Sequence, residues 1–140
     1  MSTINHVQKV QEMYAAFGRG DVPFILNALA ADVAWTVDGP SSVPLFGDRR
    51  GKDAVAQFFQ AIGTHLDIQE FTPQQFFAQG ESVVVLGFER GRVRSTGRSY
   101  EGHWAHVFTF RGTSVSSFRE YSNTAAIAEA FQSSSRSAAA

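Results

Sequence analysis

Residues 98–121, RSYEGHWAHVFTFRGTSVSSFREY, decide how this chain folds. They read as two long antiparallel strands, 99–110 and 114–121, joined by turn chemistry at Arg111-Gly112-Thr113. Side chains alternate along a strand with a period of two, so Trp104, His106, Phe108 and Phe110 share a face. A titratable imidazole among large aromatics is an unusual content for a plain sheet interior. On the second strand Phe118 and Glu120 share one parity, and Arg119 and Tyr121 take the other. The length of the connection decides which residue meets the imidazole. A two-residue turn at Gly112-Thr113 sets His106 opposite Arg119, whereas a three-residue loop, Gly112 to Ser114, sets it opposite Glu120.

Working outward, the period of two extends back through residues 68–78 and 82–93, with turns at Gln79-Gly80-Glu81 and Ser95-Thr96-Gly97. Four consecutive strands therefore close the chain, and the sheet is expected to be antiparallel. The N-terminal part has the other period. Ile4, Val7, Val10, Tyr14 and Phe17 recur every three or four residues, which predicts a helix over 2–17 that Gly18 and Gly20 stop. Asp21 caps a short second helix, DVAWTV at 32–37 reads as a strand, and Asp38-Gly39-Pro40 closes it as a turn. Residues 41–50 read as an irregular rim or lid, and 51–62 as a third helix with Val55, Phe58, Phe59 and Ile62 on its apolar side. Asn123 caps a last short helix over 124–131. Residues 133–140 form a Ser/Ala tail with nothing to bury, expected to be disordered. Segregated helices followed by consecutive strands indicate an α+β fold, with helices covering one face of a curved sheet to make a cone, in a single domain over 1–132. The mouth of such a cone is a natural ligand site.

Composition narrows the function. The 140 residues carry 13 Phe, 3 Tyr and 2 Trp, enough aromatic area to line a cavity as well as fill a core. The net charge of −1 and the lack of a basic run give a nucleic-acid backbone no electrostatic footprint. Without cysteine there is no disulfide, thiolate metal site or cysteine nucleophile. No apolar run approaches the ~20 residues that span a bilayer. A soluble, cytoplasmic protein with neither nucleic-acid nor membrane partner is expected. The four histidines show no His-x-His or His-Glu-x-x-His spacing, and His103 faces away from His106, so no metal is expected.

The pattern YAAFxxGD at Tyr14 to Asp21, the strand DVAW, a helix ending QFF, and HVFTF followed by FREYSNTAAI resemble the nuclear transport factor 2-like superfold. Within it the chain is most similar to the SnoaL-like and ketosteroid-isomerase-like branch, over nearly everything from Val7 to Phe131. The resemblance implies a cone-shaped α+β barrel whose strongly curved antiparallel sheet wraps around N-terminal helices. It also implies a family of varied chemistries: isomerases, cyclases, hydrolases, dehydratases and binders. The isomerases' oxyanion tyrosine on the first helix falls on Met13, beside Tyr14. Their general-base aspartate, at the end of the first strand, falls on Val37 or Asp38. Their buried acid on the third long strand falls on His106, and their supporting tyrosine on the third helix falls on Phe59. Limonene-epoxide-hydrolase-like relatives place an aspartate where this chain has Glu120, and an arginine where it has Trp104. The likeness favours Glu120 on the inside, a bulge being one means to it.

Residues and resemblance together give His106, Glu120 and Asp38 as candidate catalytic groups. A carboxylate that accepts one imidazole N–H fixes the tautomer and leaves the other nitrogen for a substrate. Tyr14, Trp35, Phe59, Trp104, Phe108 and Phe118 are the candidate pocket. The expected partner is a small apolar organic molecule bearing a carbonyl or epoxide, handled without a cofactor. Plainer roles compete: Glu120 as a solvated strand residue, His106 as a hydrogen-bonded core histidine, Asp38 as a turn former. The second face of the hairpin (Ala105, Val107, Thr109, Val115, Tyr121) is apolar enough to need a cover, for which a homodimer is expected.

Overall fold

The computed structural model describes residues 3–132, with side chains from Asn5 onward; the Ser/Ala tail at 133–140 lies outside them. In order, the elements are α1 (Thr3–Gly18), α2 (Val22–Asn27), β1 (Leu29–Val37), β2 (Gly47–Arg50), α3 (Lys52–His65), β3 (Leu66–Gln79), β4 (Ser82–Val93), β5 (Ser99–Arg111), β6 (Ser114–Tyr121) and α4 (Thr124–Ala130). Helix α1 buries Val10, Met13 and Ala16, one stripe at a spacing of three. The Asp21 carboxylate accepts the Phe24 N–H at 3.2 Å to start α2, and Asn123 does the same for α4 through Ala126.

The six strands form one strongly curved, open sheet in the order β2-β1-β6-β5-β4-β3, an α+β architecture with the helices packed into its concave side. Every junction is antiparallel except one, since β1 runs parallel to β6. That departs from an all-antiparallel expectation. A parallel pair needs a long crossover, and everything between β1 and β6 supplies it. The edge strand β3 takes two register shifts, between Ile68 and Glu70 and between Pro73 and Gln75. Such irregularities bend a strand, and an edge tolerates Pro73's missing N–H. Residues 47–50, expected to be irregular, form β2 because the free edge of β1 offers them a ladder from Ala34 to Val37. The polar sequence Gly-Asp-Arg-Arg carries no alternation to announce it.

The β5–β6 hairpin combines the two connections weighed from sequence. Its turn has two residues, Gly112-Thr113, with Arg111 opposite Ser114 and Phe110 opposite Val115. Gly112 has φ +65°, the left-handed value that a tight hairpin turn asks of its first central residue. One pair later Thr109 faces Ser117, so Ser116 is an extra residue, and its hydroxyl donates to the Thr109 carbonyl at 3.1 Å. This bulge moves the register by one and sets His106 opposite Glu120. On the turn side of the bulge, the two-residue turn sets Val115 opposite the inward-facing Phe110: expected on the outer face, Val115 is fully buried against the core. Tyr121 remains exposed, with Leu86 and Phe77.

Size is matched across β4 and β5. The inward positions of β4 read Val83, Val85, Gly87, Glu89, Gly91 and Val93. Opposite Gly87 stands Trp104, and opposite Gly91 stands Tyr100. A Cβ on Gly87 would lie 2.3 Å from the Trp104 ring, and one on Gly91 2.7 Å from the Tyr100 hydroxyl. The two glycines are therefore the floor on which these rings lie. Gly87→Ala should destabilise the fold by about 1–3 kcal/mol through overpacking. Gly63→Ala, in α3 where a Cβ meets nothing within 4 Å, should stabilise it by about 0.5–1 kcal/mol. Urea unfolding of both variants checks the opposite signs.

Candidate functional site

Between the sheet and helices α1 and α3 lies a cavity of about 100 Å³. Of the candidate pocket residues, Tyr14, Trp35, Phe59, Phe108 and Phe118 line it. Leu45 and Phe46 roof it, and Arg49 fastens that segment by donating to the Leu45 and Pro44 carbonyls, each at 3.1 Å. Burial holds the Arg49 guanidinium below its usual range. The polar groups on the wall are Tyr14, Glu89, Tyr100, His106 and Glu120.

Three of them form one chain. The His106 ring is 4% exposed, with Nε2 3.0 Å from Glu120 Oε1 and Nδ1 2.7 Å from the Tyr14 hydroxyl. An ionised carboxylate only accepts, so Nε2 carries the hydrogen toward Glu120 and Nδ1 accepts from Tyr14. Both ring nitrogens are thus engaged. The nitrogen expected to be left for a substrate is taken by Tyr14, which lines the cavity together with the imidazole. Burial, reinforced by Glu120, raises the Tyr14 pKa far above its ordinary value and keeps the hydroxyl protonated.

Two candidates sit elsewhere. Trp104 does not line the main cavity. It stacks 3.9 Å from the His106 ring and 5.0 Å from Phe71, behind the imidazole, where it fixes the ring plane. Asp38 lies past the end of β1, exposed and outside the cavity. Arg119 grips it with two bonds, Nε to Oδ2 at 2.9 Å and a terminal nitrogen to Oδ1 at 3.1 Å. That guanidinium holds the Asp38 carboxyl below the usual range. The strand explains the placement: Val37 pairs with Glu120 and is buried, so the next side chain turns out toward Arg119. Among the described residues, no group of three His, Asp or Glu is arranged to hold a metal ion, and no helix is long and apolar enough to cross a membrane.

A second carboxylate went unnoticed in the sequence. Glu89 lines the cavity, opposite Gly102 on β5, and accepts a hydrogen bond from the Tyr100 hydroxyl. Burial pushes its pKa up to about 7; the Tyr100 bond pulls the other way and Glu120 adds to the rise. Burial and Glu89 likewise raise Tyr100. The signal was in the alternation: Glu89 shares its parity with Val83, Val85 and Val93, and a glutamate on a strand's apolar face needs an explanation. Because the folded chain keeps this proton up to about pH 7 whereas the unfolded one sheds it near 4.5, folding stability falls as pH rises through that window. Glu89→Gln should remove the fall. Its stability relative to wild type should be on the order of 2–3 kcal/mol more favourable at pH 8 than at pH 4.5, read by chemical unfolding at both pH values.

Residues 10–118 match the model of the SnoaL-like domain. Among solved structures, an NTF2-like protein from Burkholderia xenovorans is 42% identical, with a TM-score of 0.86 over 94% of this chain and 99% of that one. An NTF2-like protein of unknown function from Burkholderia pseudomallei is 36% identical, with a TM-score of 0.85 over 95% of this chain and 100% of its own. A third, from Burkholderia thailandensis, is 28% identical with a TM-score of 0.82, over 94% and 99% of the two chains. No curated protein matches the sequence.

Proposed function

We propose that this chain, which belongs to the SnoaL-like domain family, catalyses proton transfer on a small apolar molecule carrying an oxygen function, without a cofactor. The observation that carries the reading is the hydrogen-bonded line Tyr14–His106–Glu120 ending in an aromatic cavity. With the imidazole neutral, the tyrosine oxygen offers its lone pairs to the cavity. A proton leaving the ligand bonds to that oxygen while the tyrosine's own proton passes to Nδ1. The imidazolium so formed is stabilised by the Glu120 carboxylate on Nε2. The reverse transfer returns a proton to another atom of the same ligand, and no free tyrosinate forms. That suits a hydroxyl whose ionisation burial opposes.

Size and polarity select the ligand. An apolar cavity of about 150 Å³ holds benzene, so a cavity of about 100 Å³ suits one small ring or a few carbon atoms. The Trp35 indole N–H, buried without a protein acceptor, is the donor assigned to the ligand's oxygen.

A second reading draws on the same geometry. Both imidazole nitrogens are already satisfied, as in a purely structural network, and the cavity would then only bind. The single-ring ketone 3-cyclohexenone separates the two, its conversion to 2-cyclohexenone being followed by absorbance. Catalysis predicts conversion that falls roughly 10²–10⁴-fold in His106→Ala and in Tyr14→Phe. Thermal stabilisation by the ketone without any conversion would support the binder instead.

A further inference from the structure

Several acids on the surface of this protein have an arginine against them, but the two in the cavity have none. Arg90 with Glu70, Arg92 with Asp67, Arg111 with Asp32 and Arg119 with Asp38 are ion pairs between exposed side chains. Glu89 and Glu120 line the cavity instead, and no lysine or arginine stands on its wall. Arg49 of β2 spends its donors on the Pro44 and Leu45 carbonyls and lies 4.9 Å from the Phe58 ring. Glu120 Oε1 is taken by the His106 ring and Glu89 Oε2 by the Tyr100 hydroxyl, so each carboxyl keeps one oxygen as an open acceptor. An acid withdrawn from water is ordinarily matched by a cation. Most of the remaining wall is aromatic, Tyr14, Trp35, Phe59, Phe71, Phe108 and Phe118 among it. The face of such a ring also attracts a cation. Carboxyls and rings therefore favour the same sign of charge.

We infer that the cavity takes a small organic cation, a protonated amine on a compact hydrocarbon, as the positive partner that Glu89 and Glu120 lack within the protein. The ammonium N–H groups donate to the open carboxyl oxygens, and the hydrocarbon lies against the rings. This ligand class follows from the charge of the wall and not from proton transfer along Tyr14, His106 and Glu120. It has a consequence in pH. Burial keeps a proton on Glu89 up to about pH 7, with Glu120 adding to the rise, whereas a cation beside Glu89 favours its ionised form. Binding thus expels that proton, and the affinity for the cation rises as pH rises through about 7. The other titratable groups on the wall are Tyr14 on α1, Tyr100 and His106 on β5 and Glu120 on β6, and burial keeps both tyrosines protonated.

Calorimetric titration with cyclopentylamine and with cyclopentanol provides the test, since the two share one small ring and differ in carrying an ammonium or a hydroxyl group. An alkylamine, like a lysine side chain, stays protonated below about pH 10. Cyclopentylamine should bind at least tenfold more tightly than cyclopentanol at pH 8, and its affinity should rise about tenfold from pH 6 to pH 8 as Glu89 ionises. Glu89→Gln should lose both the rise and about tenfold of the affinity at pH 8, while cyclopentanol binding stays within about twofold. Should that variant fold poorly, the unaltered protein still decides. Titrated at pH 7 in two buffers of different ionisation enthalpy, it should release about half a proton per amine bound. Cyclopentanol bound as tightly as the amine, amine bound without proton release, or an amine affinity indifferent to Glu89→Gln in the folded variant overturns the cation site. Binding of neither compound overturns it as well. The proton relay is read separately by 3-cyclohexenone conversion, which none of these results replaces.

Discussion

A single extra residue, Ser116, holds the candidate site together. The tight Gly112-Thr113 turn on its own would run the hairpin with Arg119 opposite His106. The bulge shifts the register by one, so a carboxylate meets the imidazole and the guanidinium goes outside to Asp38. A one-residue slip exchanges the faces of a strand. The same slip that brings Glu120 in thus takes Arg119 out, and a cation inside an aromatic cavity is avoided. The Ser116 hydroxyl satisfies the Thr109 carbonyl beside the bulge, and Val115 and Phe118 both fill the interior despite their odd spacing.

Polarity inside the cavity is sparse and paired. Tyr14, His106 and Glu120 form one line, and Tyr100 with Glu89 forms another, each held by aromatic or glycine neighbours that set its orientation. Desolvation acts in the same direction on both lines and favours neutral forms: it keeps Tyr14 and Tyr100 protonated and brings Glu89 near neutrality.

Much of this was legible in the residues. The change of period from helix to strand near Leu66 is carried by side chains that packing then uses in the expected sense, and the parity of Trp104, His106, Phe108 and Phe110 survives intact. What stayed hidden lies between strands. The bulge falls in Ser-Val-Ser-Ser, which has no glycine to mark it, and its energy depends on the partner strand as much as on itself. The strand β2 exists only because β1 offers an edge. The outward turn of Asp38 follows from a register that no local pattern fixes. Glu89 is a different case: it shares its parity with Val83, Val85 and Val93, and that alternation by itself places it inside.

The direction of the hydrogen bonds around His106 decides whether this is a relay. Long-range ¹H–¹⁵N correlation NMR on ¹⁵N-histidine-labelled protein, at a pH where the ring is neutral, reads that direction at each nitrogen. The Nε2–H tautomer is expected, with Nδ1 as the acceptor and its resonance moving by several ppm in Tyr14→Phe. A ring protonated at Nδ1, or an Nδ1 resonance indifferent to the loss of the tyrosine hydroxyl, would contradict the account.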